Sequence, residues 1–220
     1  MQSIRSITDL SGKRVIVRAS LNVPIDNGKV RNDFRLRQTL ETIELVRKSG
    51  AKVIVCGHLS GERMVSLLPI YDALKEKLPI SFVQDVVGDE ARNAVAHLRE
   101  GQVLLLENLR RSLGEEANDL AFAKSLVSLG DLYVMDDFSV LHRRHASVVL
   151  VPAMMPSYSG CIVDKEVERL HVALMPKSPS LAILGGAKFH TKEALIRKCL
   201  PLYDHIFVGG ALSNDMFKAK

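Results

Sequence analysis

Arg14-Val15-Ile16-Val17-Arg18 is a short apolar run bounded by arginines, and it stops at a residue able to hold an anion. Three further runs end the same way. Residues 53–56 lead into His58, 103–106 into Asn108 and Arg110, and 132–135 into His142, Arg143 and Arg144. In an open parallel sheet, ligands bind in the crevice outside the carboxyl ends of the strands, so residues scattered in sequence converge there. A crevice assembled from these strand ends would be cationic.

The segments between the runs carry helical periodicity. Asp33 opens a helix with Leu36, Leu40, Ile43 and Val46 on one face, closed by Arg47, Lys48 and Gly50. Further helices are expected over 66–77, 88–99 and 119–129, and further strands over 52–56, 80–83, 103–106 and 132–135, with 24–29 as a turn built on Asp26, Asn27 and Gly28. This rhythm predicts βαβ crossovers around a buried parallel sheet.

The expected fold class is α/β: a three-layer α/β/α parallel-sheet N-terminal domain, followed by the beginning of a second α/β domain. Pro152, Pro156, Pro176 and Pro179 bracket a helix over 164–174 that reads as an interdomain connector. The rhythm restarts with a strand over 181–184, a helix over 191–200 and a strand over 206–208. The expected boundaries are 1–155, 156–179 and 180–220. Two strands and two helices cannot cover both faces of a sheet, so the second domain is expected to be incomplete.

With 220 residues, 47% of them hydrophobic and 25% charged, the chain can bury a sizeable core as an ordinary globular protein. A net charge of +5 admits nucleic acid, a membrane surface or small anions as partners. Arg110 with Arg111 and Arg143 with Arg144 are pairs, however, not a basic arm, and the chain has no Trp to stack on bases. Nucleic acid is therefore not an expected partner. Cys56, Cys161 and Cys199 are odd in number and set among apolar residues, as reduced thiols of a cytosolic protein would be. The first ten residues lack the apolar stretch of a secretory signal. The apolar run over 148–155 is broken by Pro152 and too short to span a bilayer, so no membrane partner is expected.

Gly185-Gly186-Ala187-Lys188, followed by Lys192, lies between a strand and a helix. Glycines there let backbone N–H groups approach phosphate oxygens while lysine adds charge, although a Gly-Gly strand exit can equally be a plain tight turn. Gly209-Gly210 follows the next strand and suggests a shared surface. Lys188 and Lys192 would occupy one helical face if both were helical. Arg18, Arg35, Arg110 and Arg143 suit carboxylate or phosphate because the guanidinium fork can donate two parallel hydrogen bonds. Each could also be a structural or solvated arginine, and for Arg18 and Arg35 the two readings stand level. His58 and His142 could be acid–base groups, phosphate contacts, or histidines bonded to loop carbonyls. His142 and His145 lack partners at metal-ligand spacing, which excludes zinc, and Asp136 and Asp137 read as caps before they read as metal ligands. No metal site is expected.

Together these residues resemble the phosphoglycerate kinase family. The resemblance runs along essentially the whole chain: Arg14-Val-Ile-Val-Arg18 with Asn22-Val23-Pro24, Leu104-Leu-Leu-Glu107-Asn108-Leu109-Arg110, Asp137-Phe138 with His142-Arg143, and Gly185-Gly186-Ala187-Lys188 with Lys192. It implies an N-terminal domain binding 3-phosphoglycerate, a hinge, and a C-terminal domain binding ATP or ADP with Mg2+, whose ligand residues are not in this chain. Asn22, Arg35, His58, Arg110 and Arg143 would hold the glycerate and its phosphate, with Ser20, Gly61, Arg63 and His142 beside them. Gly186, Ala187, Lys188, Lys192, Gly209 and Gly210 would meet the nucleotide. Arg35, Lys188 and Lys192 would act on the group in flight. The implied protein is a cytoplasmic monomer of glycolysis acting on small molecules.

Three departures stand against the family pattern. Ser20-Leu21-Asn22 replaces Asp-Phe-Asn. His58-Leu59-Ser60-Gly61 replaces His-Leu-Gly-Arg, with Arg63 two residues late. Family members are roughly twice as long, so a truncated chain with little turnover of its own is expected, the alternative being a non-catalytic binding protein that kept the scaffold.

Overall fold

A computed structural model describes residues 1–61, 65–187 and 189–218; Arg63 and Lys188, both singled out from the sequence, lie outside the described residues. The chain forms two compact units, Met1–Glu166 and Val167–Lys220.

The first unit begins with β1 (Gln2–Ser3), β2 (Arg14–Ala19), the hairpin β3 (Ile25–Asp26) and β4 (Lys29–Val30), then α1 (Phe34–Lys48) and β5 (Lys52–Cys56). Next come α2 (Leu68–Lys75), β6 (Ser81–Phe82), α3 (Asp89–Ala96) and β7 (Val103–Leu105). It continues through α4 (Leu113–Glu116), α5 (Leu120–Val127), β8 (Leu132–Asp136), α6 (Ala146–Met154) and β9 (Ser157–Ser159) to α7 (Cys161–Ala173), which runs across the boundary between the units. Seven strands form one sheet in the order β1-β9-β8-β2-β5-β7-β6, and every pairing is parallel.

Alternation along the strands produces the three layers. Val15, Val17, Val53, Val55 and Leu105 face a core shared with Leu36 and Ile43 of α1 and Ile70 and Leu74 of α2. Ile16, Ile54, Leu104 and Met135 face the other way, onto Val95 of α3, Phe122 and Leu126 of α5 and Val151 of α6. Each such side chain contributes about 1.5–3 kcal/mol on burial. Arg18 pairs with Cys56 on one side and Met135 on the other, so β2, β5 and β8 end on one common edge.

The hairpin turn is set by Asn27 (φ 46°) and Gly28 (φ 72°), the pair of positive φ angles that a two-residue turn with matching twist demands. Asp33 precedes α1 without capping it through its side chain; its carboxylate instead meets Lys77 at 3.1 Å and Arg37 at 3.3 Å.

Residues 156–179, expected to be a connector, contribute more to the first unit than that reading allowed. Ser157–Ser159 is a strand between β1 and β8, and α7 starts at Cys161. A three-residue strand of two serines and a tyrosine carries no apolar alternation to announce it. The run broken by Pro152 is nonetheless helix α6, with the proline inside it.

The junction of β8, β9 and α7 is close-packed around Asp136. Its Oδ1 accepts from Ile162 N at 2.8 Å, and a Cβ on Gly160 would lie 2.3 Å from that oxygen, so only glycine fits. Its Oδ2 is buried without a hydrogen-bond partner.

The second unit pairs β10 (Leu181–Gly185) in parallel with β11 (His205–Gly209), with α8 (Glu193–Cys199) between them and α9 (Ala211–Lys218) after them. A 3-10 turn over Phe189–Thr191 precedes α8, so the helix expected from residue 191 starts slightly later. Among the described residues no helix is long and apolar enough to cross a membrane.

Burial pushes the Asp136 carboxyl up to about 7, against hydrogen bonds from Thr42 and the Ile162 amide. An acid whose pKa is raised by folding favours the folded state while protonated, and that contribution is lost as pH rises from its unfolded value near 4 through 7. Asp136→Asn keeps an acceptor for Ile162 N and removes the titration. The variant is expected to gain stability relative to the parent as pH rises from 5 to 8, by about 2–3 kcal/mol. Denaturant unfolding at both pH values checks this; parallel stability profiles for the two proteins would refute it.

Candidate functional site

The common edge of β2, β5 and β8 rests on a buried polar cluster. Arg18 is fully buried. Its Nη1 donates to Asp137 Oδ2 at 2.7 Å and its Nε to Ser147 Oγ at 2.9 Å, while its Nη2 lies 4.0 Å from Glu115 Oε1. Ser147 in turn donates from Oγ and N to the two oxygens of Glu115, at 2.6 and 3.0 Å, and its carbonyl accepts from the Tyr133 hydroxyl at 2.6 Å. Asp137 also accepts from Ser139 Oγ at 2.6 Å. A buried ion survives only when paired and hydrogen-bonded, and these contacts meet that condition. Of the two open readings of Arg18, the structure selects the structural one.

Above this cluster stand the residues that line the edge. His58 is buried, with Nδ1 3.4 Å from Arg18 Nη2 and 3.8 Å from Asp137 Oδ2. Burial, then the positive fields of Arg18, Arg110 and Arg143, lower its pKa to about 3 against the opposing pull of Asp137, so the ring is neutral near pH 7.

Arg110 follows Asn108, a buried residue whose side chain takes Leu59 N and Arg110 N on its oxygen and gives its amide protons to Leu59 O and Val65 O. That arrangement fixes the loops after β5 and β7 against each other. Arg110 Nη1 donates to Ser60 Oγ at 2.9 Å. Its Nε lies 3.1 Å from Glu116 Oε1, near enough for an ion pair but not aligned for a hydrogen bond, and both Nε and Nη2 are buried without a hydrogen-bond acceptor. Burial lowers the Arg110 pKa; Glu116 opposes this, and Arg143 and Arg18 add to it.

Asn22 and Arg35 lie along the same edge. Ser60 N donates to Asn22 Oδ1 at 3.0 Å, and Arg35 Nη1 reaches Asn22 O at 3.4 Å. Asn22, Pro24, Asn32, Phe34 and Arg35 line an open cleft of about 350 Å³. A second, of about 490 Å³, takes in Asn22, Leu59, Ser60 and Val65. Ser20 is buried beneath. Gly61 has φ +145°, where a Cβ would also sit 3.1 Å from Val65 Cγ2, so an arginine would be strained at this position. Arg143 is exposed, yet close enough to lower the pKa values of both His58 and Arg110. His142 is exposed and makes none of the hydrogen bonds that knit the edge together.

Ser60, Glu115 and Glu116 are the edge residues that sequence reasoning passed over. The available signal was two adjacent carboxylates, five and six residues beyond Arg110 and opposite in charge to the basic pair there.

In the second unit the two Gly-Gly strand exits abut. Gly185 pairs with Gly209, Leu212 N donates to Gly186 O at 2.8 Å, and a Cβ on Gly210 would lie 3.8 Å from Gly186 O. Gly186 (φ 155°) and Gly210 (φ 65°) both use backbone conformations that favour glycine. Lys192 runs its side chain past Gly186, with Cε 3.6 Å from where a Cβ would stand. Ala187 is exposed beside it. Lys192 precedes α8 and is not within it, so the helical-face pairing with Lys188 has no helix to rest on at this point. Among the described residues no group of three His, Cys, Asp or Glu could hold a metal ion.

Comparison with known proteins agrees with this geometry. The phosphoglycerate kinase family model matches residues 4–220. A phosphoglycerate kinase of Salinispora tropica is 44% identical over 99% of this chain and 59% of its own length, and one of Caulobacter sp. is 41% identical over 96% and 55%. Among solved structures, the phosphoglycerate kinase of Coxiella burnetii superposes with a TM-score of 0.85 at 34% identity, over 99% of this chain and 56% of that one. The Pyrococcus horikoshii enzyme gives 0.86 at 29% identity, over 100% and 57%. The chain thus spans somewhat over half the length of these relatives. A parallel sheet with its cationic carboxyl edge, paired glycine exits in the second unit and a match along nearly every residue place this chain in the phosphoglycerate kinase family.

Proposed function

We propose that the chain carries the acceptor site of a phosphoglycerate kinase, in which a phosphoryl group passes reversibly between ATP and the carboxylate of 3-phosphoglycerate to give ADP and 1,3-bisphosphoglycerate. The observation that carries this reading is Arg110: a partly buried guanidinium, with Glu116 3.1 Å from Nε, whose Nε and Nη2 lack a hydrogen-bond acceptor, in the positive field of Arg18 and Arg143, beside a neutral His58. Asn22, Arg35, His58, Arg110 and Arg143 would receive the acceptor, with Ser20 and Gly61 shaping the loops beneath them. Arg63 and His142 are proposed as secondary contacts on the strength of the family pattern.

The acceptor carboxylate is already ionised at neutral pH, so the reaction needs no general base and a neutral His58 is not a defect. Catalysis of this kind rests on positioning and on neutralising charge at the oxygens of the group in transfer. Arg35, exposed beside the cleft, is the residue proposed to face that group. In the second unit, Gly186, Ala187, Gly209, Gly210 and Lys192, with Lys188, are proposed to receive the nucleotide phosphates, because glycine exits leave backbone N–H groups accessible and lysine adds charge. Magnesium, when bound with the nucleotide, would supply further charge neutralisation. A cytoplasmic, monomeric enzyme of glycolysis is the setting that fits this reading.

Calorimetric titration of the 220-residue chain with 3-phosphoglycerate at low salt is expected to give saturable binding. Arg110→Ala should weaken it roughly 10- to 100-fold, the loss expected for charge-assisted hydrogen bonds, and Arg35→Ala should weaken it too. A folded chain that releases no heat would remove the proposal. The histidine titrations supply an independent check. In the free protein His58 should stay neutral down to about pH 4, and saturating 3-phosphoglycerate should move its pKa upward by adding negative charge; a free-state titration near 6.5 would contradict the buried cationic setting.

A further inference from the structure

Ser60 entered the sequence reading only as a departure from the family pattern. Its hydroxyl oxygen accepts from Arg110 Nη1 at 2.9 Å, and its amide donates to Asn22 Oδ1 at 3.0 Å. The Asn22 carbonyl in turn takes Arg35 Nη1 at 3.4 Å. Arg35, Asn22, Ser60 and Arg110 therefore form one hydrogen-bonded chain along the sheet edge, drawn from α1 and the segments after β2, β5 and β7, and Ser60 links Asn22 to Arg110. An alanine or glycine at position 60 would keep the amide contact and break the chain at Arg110.

The geometry of the guanidinium gives this link a consequence. Arginine has five donors in a fixed plane, and the Nε and Nη2 protons form the side-on fork that grips two oxygens at once. With Nη1 engaged by Ser60, the plane is held; the Nε–Nη2 side is turned away from solvent, with Glu116 3.1 Å from Nε, and Nη1 is the nitrogen on the open side. A serine hydroxyl that accepts from Arg110 also keeps a proton of its own to donate.

We infer that Ser60 is a positioning residue of the acceptor site, holding the Arg110 guanidinium through Nη1 at the edge where an oxyanion of the three-carbon phosphorylated acid would meet it. The inference rests on the proposed acceptor site and adds to it a residue that the family resemblance does not supply. It also assigns a role to the departure itself: where Gly61 has no cation to offer, its neighbour holds the existing one in register.

Ser60→Ala, Ser60→Gly and Ser60→Thr in the full chain, each checked for folding by circular dichroism, test this through two readouts: affinity for 3-phosphoglycerate by calorimetry, and solvent exchange of the Arg110 Nε proton by nitrogen-15 NMR. Ser60→Ala and Ser60→Gly should bind roughly tenfold more weakly and let the Arg110 Nε proton exchange faster, while Ser60→Thr, which keeps the hydroxyl, restores both. Unchanged affinity, or an unchanged Arg110 signal, in the alanine and glycine variants overturns the inference. If the parent protein binds no 3-phosphoglycerate, the proposed function fails instead, and the Arg110 signal alone still decides whether Ser60 holds the guanidinium.

Discussion

The ion pair between Arg18 and Asp137 is the constraint on which the acceptor edge depends. It places a full positive charge inside the sheet layer at the end of the central strand, where water cannot solvate it. Removing one partner from such a pair typically costs about 3–5 kcal/mol, because the other is left charged and buried. The remaining contacts of Arg18 follow from that demand. Ser147 and Glu115 complete its shell, and in doing so they bind α6 and α4 to the end of β2. His58 lies against the same guanidinium and is kept neutral first by burial and then by that positive charge.

Arg110 inherits its setting from this arrangement. The loop after β7 is fastened by Asn108 to the loop after β5, which carries Arg110 into a region already positive from Arg18 and Arg143. Glu116 offsets part of that field without satisfying the donors. Arg18 is thus balanced by a fully buried carboxylate, whereas Arg110 has only the half-exposed Glu116 beside it and keeps two donors without an acceptor. That difference in the pairing of the guanidinium distinguishes Arg18 from Arg110, two arginines that both follow apolar strand residues.

Sequence reading found the layers because the periods were clean. Leu36, Leu40, Ile43 and Val46 repeat at helical spacing, and the runs at 14–18 and 52–56 are continuously apolar between polar ends, as strands covered on both faces must be. It missed β1 and β9, which have two and three residues and owe their pairing to the neighbouring strand β8 and to each other more than to their own side chains. It set Pro152 outside any helix, although tertiary packing of Ala146 and Val151 outweighs the lost N–H. At the site, residue type identified the cationic set but could not say which members are paired. Whether an arginine is neutralised depends on Asp137, Glu115 and Ser147, which lie about one hundred residues or more from Arg18 along the chain. Ser60 escaped notice for the same reason, since its role exists only through Arg110.

The most direct measurement of the central claim is a structure of the chain solved with 3-phosphoglycerate bound. Density for the ligand is expected at the edge of β2, β5 and β8, with an oxyanion against the Arg110 guanidinium, Asn22 and His58 within hydrogen-bonding reach, and Arg18 still paired with Asp137. Ligand density at any other place, or an Arg18 that leaves Asp137 to bind the ligand itself, would contradict the division between a structural Arg18 and a functional Arg110.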